Sequence, residues 1–212
     1  MAVDKNLSWS FTEEYPAESS GAQLARAHAA ELGVDAISPA TGSLLRLLAA
    51  SVGARSVVEV GTGTGVSGLW LFEGMADDGV LTSIDIEPEY QRVARESFAS
   101  AGVRAARARL IAGRALDVLP RLADGAYDMV VIDGDPAETA QVVDEAFRLL
   151  RQGGLLVIND ALARGQVADP ARRDPITVAA RGVVRDLRER EDAVVTLVPT
   201  GDGVIAALKK TS

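Results

Sequence analysis

Apolar and polar positions along this chain follow two periods, which alternate between short strands and longer helices. The predicted strands cover residues 56–60, 80–86, 108–112, 127–132 and 155–158. Helical composition fills the segments between them, at residues 66–75, 88–101, 115–122 and 137–150. A chain that alternates in this way is expected to form a parallel sheet with helices on both of its faces.

The two ends of the chain depart from this alternation. Two helices, at residues 18–32 and 40–51, precede the first strand, and a helix at 176–190 follows the loop after the fifth strand. The last strands, 193–198 and 204–208, are joined by so short a turn that they must form an antiparallel hairpin. We therefore expect a single domain over residues 19–212, preceded by an arm over residues 1–18 in which Pro16 would end any early helix.

Composition and charge narrow the classes of function. The 212 residues include no cysteine, which excludes disulfides, thiolate nucleophiles and cysteine-based zinc sites. The net charge of −8 argues against a general nucleic-acid-binding surface. No apolar run approaches the roughly 20 residues that span a bilayer. These features predict a soluble, cytoplasmic protein without membrane contacts.

A glycine-dense turn follows the first predicted strand and precedes a helix. Gly61, Gly63 and Gly65 would let a ligand approach the backbone closely, as in loops that bind nucleosides. The same stretch contains Gly63-x-Gly65-x-x-Gly68, which matches the dinucleotide fingerprint. The loop by itself therefore does not distinguish a nucleoside-containing cofactor such as S-adenosylmethionine from a dinucleotide.

Glu59 and the terminal hairpin favour a methyltransferase over a dinucleotide enzyme, whereas Asp85 suits both classes. Glu59, at the end of the strand before the loop, would attract a cofactor ammonium but oppose a pyrophosphate. Asp85 ends the second strand, where a carboxylate accepts hydrogen bonds from ribose hydroxyls in either class. There is a structural alternative for each residue, in which it does not contact a cofactor: Glu59 would be an ion-paired strand residue, and Asp85 would be a helix cap.

Several segments, taken in order, resemble the S-adenosylmethionine-dependent O-methyltransferases of the catechol and caffeoyl-CoA type. Residues 59–67, Glu-Val-Gly-Thr-Gly-Thr-Gly-Val-Ser, are similar to the family's cofactor loop, and the resemblance extends from about residue 37 to 208. The other matching segments are residues 82–89, 113–120, 127–135 and 149–157. The resemblance implies a Rossmann-like class I methyltransferase fold of the α/β class, with a seven-stranded, mostly parallel sheet and an antiparallel C-terminal hairpin strand.

The resemblance also implies a set of site residues. Those implied at the methionine end of S-adenosylmethionine are Glu59, Gly61, Gly63 and Ser67. Asp85 would hold the ribose, while Ile86, Arg114 and Ala115 would border the adenine. Ser38 matches a stretch that closes over the cofactor, and Asp133 matches a metal ligand beside the transferred methyl group.

The sequence departs from the family pattern at two places. The family's metal-binding Asp-Asn pair is reversed to Asn159-Asp160, and successive residues of a strand end point to opposite faces. Asp133, Asn159 and Asp160 would still offer oxygen ligands for Mg²⁺ or Ca²⁺, but the pair would equally serve as ordinary turn residues. Pro136 stands where catechol-type enzymes have a lysine base, so that base is excluded.

Without that lysine, proton removal falls to an aspartate or to a bound metal. Asp133 and Asp160 are the catalytic candidates, whereas Asp135 is expected to cap the helix that follows. The only histidine, His28, is expected to be a solvated or interface residue rather than a catalytic one.

The function that we predict is O-methylation of a small hydroxylated acceptor, which could be catechol-like, by in-line methyl transfer. The acceptor is expected over the carboxyl ends of the strands, between the helix at 40–51, Asp133 and the loop after Asp160. The alternatives are a tRNA wobble-uridine O-methyltransferase, an NAD-type oxidoreductase, and a cofactor-binding protein without catalysis. The loop after the fifth predicted strand, residues 161–175, carries three arginines, here called the late-loop arginines: Arg164, Arg172 and Arg173. They would bind an anionic acceptor or simply be solvated. The family resemblance implies a homodimer.

Overall fold

Seven strands form one mixed sheet in the computed structural model, which describes residues 5–211. The strands are β1 (Ser56–Val60), β2 (Val80–Asp85), β3 (Ala108–Ala112), β4 (Tyr127–Ile132), β5 (Leu150–Ile158), β6 (Ala193–Val198) and β7 (Val204–Lys209). Their order across the sheet is β3-β2-β1-β4-β5-β7-β6. The pairs from β3 to β5 are parallel, and β7 runs antiparallel to both β5 and β6, which confirms the predicted fold class.

Helices cover both faces of this sheet. They are α1 (Lys5–Glu14), α2 (Ser20–Leu32), α3 (Pro39–Ser51), α4 (Val66–Gly74), α5 (Pro88–Ser100), α6 (Ala115–Val118), α7 (Thr139–Leu149) and α8 (Pro175–Arg188). Successive residues of a strand point to opposite faces. Val57 accordingly belongs to the core beneath α2–α5, whereas Val58 belongs to the core beneath α6–α8. No helix within residues 5–211 is long and apolar enough to cross a bilayer.

The observed boundaries differ from the predicted ones where a local interaction intervenes. The predicted helix 115–122 is a single α-turn followed by a 3₁₀ turn, since Pro120 cannot donate a backbone hydrogen bond. The helix predicted from residue 137 begins at Thr139, because Asp135 first closes a turn by accepting from the backbone N–H of Ala137 at 2.9 Å. β5 begins at Leu150, five residues before the predicted start.

The N-terminal segment is helical over most of its described length. α1 ends at Glu14, two residues before Pro16, and residues 1–4 of the predicted arm lie outside the described residues. Glu13 accepts hydrogen bonds from the Thr200 hydroxyl (3.1 Å) and the Gly201 N–H (2.8 Å), which ties α1 to the β6–β7 turn.

The strand order reverses between β1 and β4, since β1 continues outward to β2 and β4 continues in the other direction to β5. In open α/β sheets, ligands bind at the carboxyl ends of the strands beside such a reversal. The loops that follow β1, β2, β4 and β5 meet at this edge and form the site described next.

Candidate active site

The loop over residues 61–65 joins β1 to α4 and requires glycine for two separate reasons. Gly61, Gly63 and Gly65 have φ angles of +94°, +49° and +93°, a region that side chains disfavour. A Cβ atom on Gly61 would lie 2.1 Å from the carbonyl oxygen of Asp133, and one on Gly65 would lie 2.7 Å from the Phe98 ring. The loop therefore packs its backbone directly against the end of β4 and against α5.

Glu59 is buried beneath this loop. The hydroxyl of Ser83 donates to its Oε2 at 2.6 Å. Burial raises the pKa of Glu59 from 4.5 to about 7; the hydroxyls of Ser67 and Ser83 act in the opposite direction, and the negative charges of Asp133 and Asp85 add to the rise. Glu59 lines none of the three cavities around the loop, and within residues 5–211 it forms no ion pair, unlike the ion-paired strand residue of the structural alternative.

Asp85 links the second strand to the glycine loop. Its Oδ2 accepts from the backbone N–H of Gly63 at 2.9 Å, and its Oδ1 accepts from the N–H of Glu87 at 3.0 Å. The second bond closes a turn before α5, whose N-cap residue is Glu87, so Asp85 is not the helix cap of the structural alternative. Asp85 lines two cavities instead. Each carboxylate oxygen retains acceptor capacity toward those cavities.

Three cavities meet around Gly61 and Asp133. The loop cavity, about 160 Å³, lies against the glycine loop, and the side cavity, about 170 Å³, lies between the ends of β2 and β3. The large cavity, about 620 Å³, lies beyond the ends of β4 and β5. Gly61 and Asp85 line both smaller cavities, whereas Asp133 lines both the loop cavity and the large cavity.

Most of the predicted cofactor residues are brought together by these two smaller cavities. The loop cavity is lined by Gly61, Gly63, Ser67, Asp85 and Asp133. The side cavity is lined by Gly61, Asp85, Ile86, Arg114 and Ala115. Ile86 is 60% exposed there although it is strongly apolar, and the guanidinium of Arg114 is held by Glu138.

Ser38 does not line any of these cavities. Its hydroxyl accepts from the backbone N–H of Thr41 at 3.2 Å and thereby caps α3. The preceding residues, 34–37, form the wall of the loop cavity instead. The sequence offered no signal for these residues beyond their position before the α3 cap.

The three metal candidates are adjacent in the structure. The side-chain amide of Asn159 donates to Asp133 Oδ1 at 2.9 Å and to Asp160 Oδ1 at 3.1 Å. Burial raises the pKa of Asp133 to about 6, with Asn159 lowering it and Asp160 raising it. Within residues 5–211 no group of three or more acidic, histidine or cysteine side chains is arranged to hold a metal ion.

Asp160 occupies an unusual backbone position. Its φ angle is +52°, a left-handed conformation that a non-glycine residue adopts only when its surroundings hold it there. Burial raises its pKa, and the negative charges of Asp202 and Asp35 add to that effect. Asp202 accepts from the backbone N–H groups of Arg164 and Gly165, so it holds the loop that follows Asp160.

The wall of the large cavity is not the one that the sequence predicted. We expected the helix at 40–51 to border the acceptor, but the structure places α8 there, with Ile176, Thr177 and Val183 among the lining residues. Pro136 also lines this cavity. Of the three late-loop arginines, only Arg164 reaches it.

Comparisons with known proteins agree with this geometry. A family model described as O-methyltransferase matches residues 20–210. A relative from Mycobacterium tuberculosis, named "Probable O-methyltransferase", is 52% identical over 185 residues, which cover 87% of this chain and 83% of that protein. A relative from Mycobacterium marinum is 51% identical over 187 residues, covering 88% of this chain and 84% of its own length.

Solved structures show the same fold. A protein from Corynebacterium glutamicum superposes with a TM-score of 0.91 at 36% identity, covering 98% of this chain and 97% of its own. The O-methyltransferase TomG from Streptomyces achromogenes, solved in complex with S-adenosylmethionine, superposes with a TM-score of 0.87 at 28% identity, covering 99% of this chain and 100% of its own. The fold, the glycine loop and the family match together lead to one conclusion: this chain belongs to the O-methyltransferase family.

Proposed function

We propose that this protein transfers the methyl group of S-adenosylmethionine to a hydroxyl group of a small acceptor. The observation that carries the proposal is the position of Asp133, which forms a common wall of the loop cavity and the large cavity. A methyl donor in the first cavity and an acceptor in the second would meet beside this carboxylate.

The residues present fit S-adenosylmethionine. The backbone of Gly61 and Gly63 lines the loop cavity, and Ser67 and the first turn of α4 offer hydrogen bonds and a positive helix end to the amino-acid part. Asp85 would accept hydrogen bonds from the ribose hydroxyls. The exposed Ile86 and the neighbouring Ala115 would pack against the adenine, beside Arg114.

The protein's contribution to the reaction is alignment and proton removal. When bound, S-adenosylmethionine supplies a methyl group that its positive sulfur already makes electrophilic. The cavities would place the acceptor oxygen opposite that sulfur, so that a carbon–oxygen bond forms as the carbon–sulfur bond breaks and its electron pair stays on sulfur. Asp133, with a pKa of about 6, is ionised at neutral pH and would accept the hydroxyl proton, with Asp160 as the second candidate.

A divalent cation, Mg²⁺ or Ca²⁺, belongs to this proposal. Asp133 and Asp160 would supply carboxylate oxygens and Asn159 its amide oxygen, a donor set that suits these ions. The amide of Asn159 presents its nitrogen to both carboxylates, so ion binding would require this side chain to turn. A carboxylate that ligates a cation is a poor base, so a bound cation would replace Asp133 in this role by lowering the pKa of the acceptor hydroxyl.

The size and lining of the large cavity support a small, catechol-like acceptor. Its volume of about 620 Å³ accommodates a substituted aromatic ring, and Ile132, Ile158 and Ile176 provide apolar surface around it. The presence of several carboxylates and only one arginine in its lining does not favour an anionic acceptor.

The experiment is an assay with S-adenosylmethionine labelled in its methyl group and a panel of catechols, with EDTA and with added Mg²⁺. Methylated catechol in either condition supports the proposal, and its dependence on Mg²⁺ tests the metal. Transfer to bulk tRNA alone would show the tRNA alternative to be correct. Cofactor binding without transfer to any acceptor would indicate a binding protein that lacks catalysis.

We also propose that the protein forms a homodimer through α1. Leu7 and Phe11 of α1 are strongly exposed, as are Tyr15, which directly follows the helix, and Leu47 of α3. Light scattering should give twice the mass of the chain, and substitution of Phe11 and Tyr15 by serine should convert the dimer to monomer. A monomer of the unaltered protein at micromolar concentration would contradict this proposal.

A further inference from the structure

A chain of buried hydrogen bonds runs beneath the glycine loop, and the proposed reaction does not use it. The side-chain amide of Gln91 donates to the Thr62 hydroxyl at 2.8 Å, the Thr62 and Ser83 hydroxyls are 2.6 Å apart, and Ser83 donates to Glu59 Oε2 at 2.6 Å. All four side chains are at least 95% buried. They come from four different elements: α5, the loop, β2 and β1.

The amide of Gln91 sets the direction of this chain. Its nitrogen faces two backbone carbonyl oxygens as well, those of Ser83 and Ile111, both at 3.3 Å. Rotation of the amide would turn its oxygen toward those carbonyls, so the nitrogen must remain on this side and donate to Thr62. Each hydroxyl can donate one hydrogen bond. Thr62 therefore donates to Ser83, and Ser83 donates to Glu59.

This direction matters because the surroundings of Glu59 disfavour its negative charge. Asp133 from the end of β4 and Asp85 from the end of β2 are the charged groups that act on it, and both oppose ionisation. Ser83 from β2 favours the ionised form because it donates a hydrogen bond to Oε2, whereas Oε1 has no hydrogen-bond partner within residues 5–211. If these hydrogen bonds ran in the opposite direction, Ser83 would donate to Thr62 and could not donate to Glu59.

We propose that Gln91 is a positioning residue for cofactor binding: through Thr62 and Ser83 it favours the form of Glu59 that accepts hydrogen bonds and carries a negative charge, and that charge beneath the loop cavity stabilises the cofactor's ammonium group. Thr62 connects the two, since its hydroxyl belongs to the chain of hydrogen bonds while the residue itself lines the loop cavity. The inference rests on the proposed function, because it needs a cofactor that carries an amino-acid end.

Two ligands that differ only in the amino-acid part distinguish the positioning role of Gln91 from a purely structural role. S-adenosylhomocysteine carries the ammonium group, whereas 5′-methylthioadenosine shares the adenosine and the sulfur but lacks the amino-acid part. Titration calorimetry at pH 7 with Gln91→Leu should show a loss of about tenfold in affinity for S-adenosylhomocysteine and no change for 5′-methylthioadenosine. The loss should shrink at pH 9, where Glu59 ionises without help.

A second variant, Thr62→Val, removes the next hydroxyl of the hydrogen-bond chain with little change of side-chain shape. It should also weaken S-adenosylhomocysteine binding without weakening 5′-methylthioadenosine binding, and it tests the proposal if Gln91→Leu does not fold. Ser97→Ala is the matched control, since it removes another buried hydroxyl of α5 that makes no hydrogen bond within residues 5–211.

Equal losses for both ligands, or no loss for either, would overturn the role of Gln91 while leaving the proposed function intact. Failure of the unaltered protein to bind S-adenosylhomocysteine would instead overturn the proposed function, and this inference with it.

Discussion

The carbonyl oxygen of Asp133 lies only 2.1 Å from the point that a Cβ atom on Gly61 would occupy. The two residues directly follow the neighbouring strands β1 and β4, and their backbones lie against each other where the three cavities meet. This contact places the carboxylate at the boundary between the cavity proposed for the methyl donor and the cavity proposed for the acceptor.

Gly61→Ala should therefore destabilise the protein more than a left-handed φ angle alone would. The conformational cost is about 1–2 kcal/mol, and the steric overlap with Asp133 adds to it. Gly102→Ala is the matched control, because Gly102 has a φ of +78° but nothing within 4 Å of its Cβ position. Urea unfolding of both variants measures the difference. Equal losses of unfolding free energy would show that the close approach has no energetic consequence.

Asp85→Ala should lower affinity for S-adenosylmethionine by about 100-fold or more. The ribose of the cofactor would lose two charge-assisted hydrogen bonds to this carboxylate, each worth about 1.5–3 kcal/mol. The control is Asp144→Ala, at an exposed position on α7. Titration calorimetry measures both, and unchanged affinity in Asp85→Ala would remove this residue from the site.

Glu59 should make stability fall as the pH rises. Its pKa is about 7 in the folded protein against 4.5 in the unfolded chain, so the folded state holds the extra proton and its stabilising effect is complete below pH 4.5. Between pH 4.5 and 7 this contribution is lost at up to about 1.4 kcal/mol per pH unit.

Glu59→Gln cannot titrate, so it should lack that part of the slope when unfolding is measured in urea from pH 5 to 8. Asp133, whose pKa is raised to about 6 from 3.8, contributes a slope of the same sign at lower pH. It remains in both proteins, so the difference between them reports Glu59 alone. Identical slopes would mean that Glu59 keeps an ordinary pKa.

Asp133→Asn should reduce methyl transfer by at least about 100-fold if the carboxylate accepts the acceptor's proton. In the unaltered enzyme, kcat/KM should rise with pH and level off above about 6, where Asp133 is ionised. The substitution should abolish that rise. An Asp133→Asn enzyme with an unchanged pH profile would assign proton removal to another group.

Lys209 should stabilise the junction between α7 and β5. Its ammonium group donates to the backbone carbonyl oxygens of Phe147 (2.6 Å) and Leu150 (2.7 Å), which the end of α7 leaves without helical partners. Lys209→Met should cost about 1–3 kcal/mol of unfolding free energy. Lys210→Met, which removes an exposed ammonium bonded to one carbonyl, should cost less. Similar losses in the two variants would contradict this assignment.

Much of the fold follows from local patterns. The glycine loop, the terminal hairpin and the turn that Asp135 closes depend on residues a few positions apart, whose conformational preferences are similar in any surroundings. Asp135 is not the predicted helix cap, because the N-cap residue of α7 is Glu138. The segment over residues 5–14 was not predicted as a helix, because its pattern is weakly amphipathic and its contacts come from the distant Thr200 and Gly201.

The sequence alone thus determined the order of strands and helices, the glycine loop and the acidic residues at the strand ends, since these depend on backbone preference and on hydrophobic period. Only the tertiary structure decided which side chains meet. Asn159 joins Asp133 from 26 residues away, Gln91 reaches Thr62 across 29, and α8 rather than α3 closes the large cavity. The physical reason is that burial, the direction of hydrogen bonds and the resulting pKa of Glu59 depend on groups that the chain brings together only when the sheet forms.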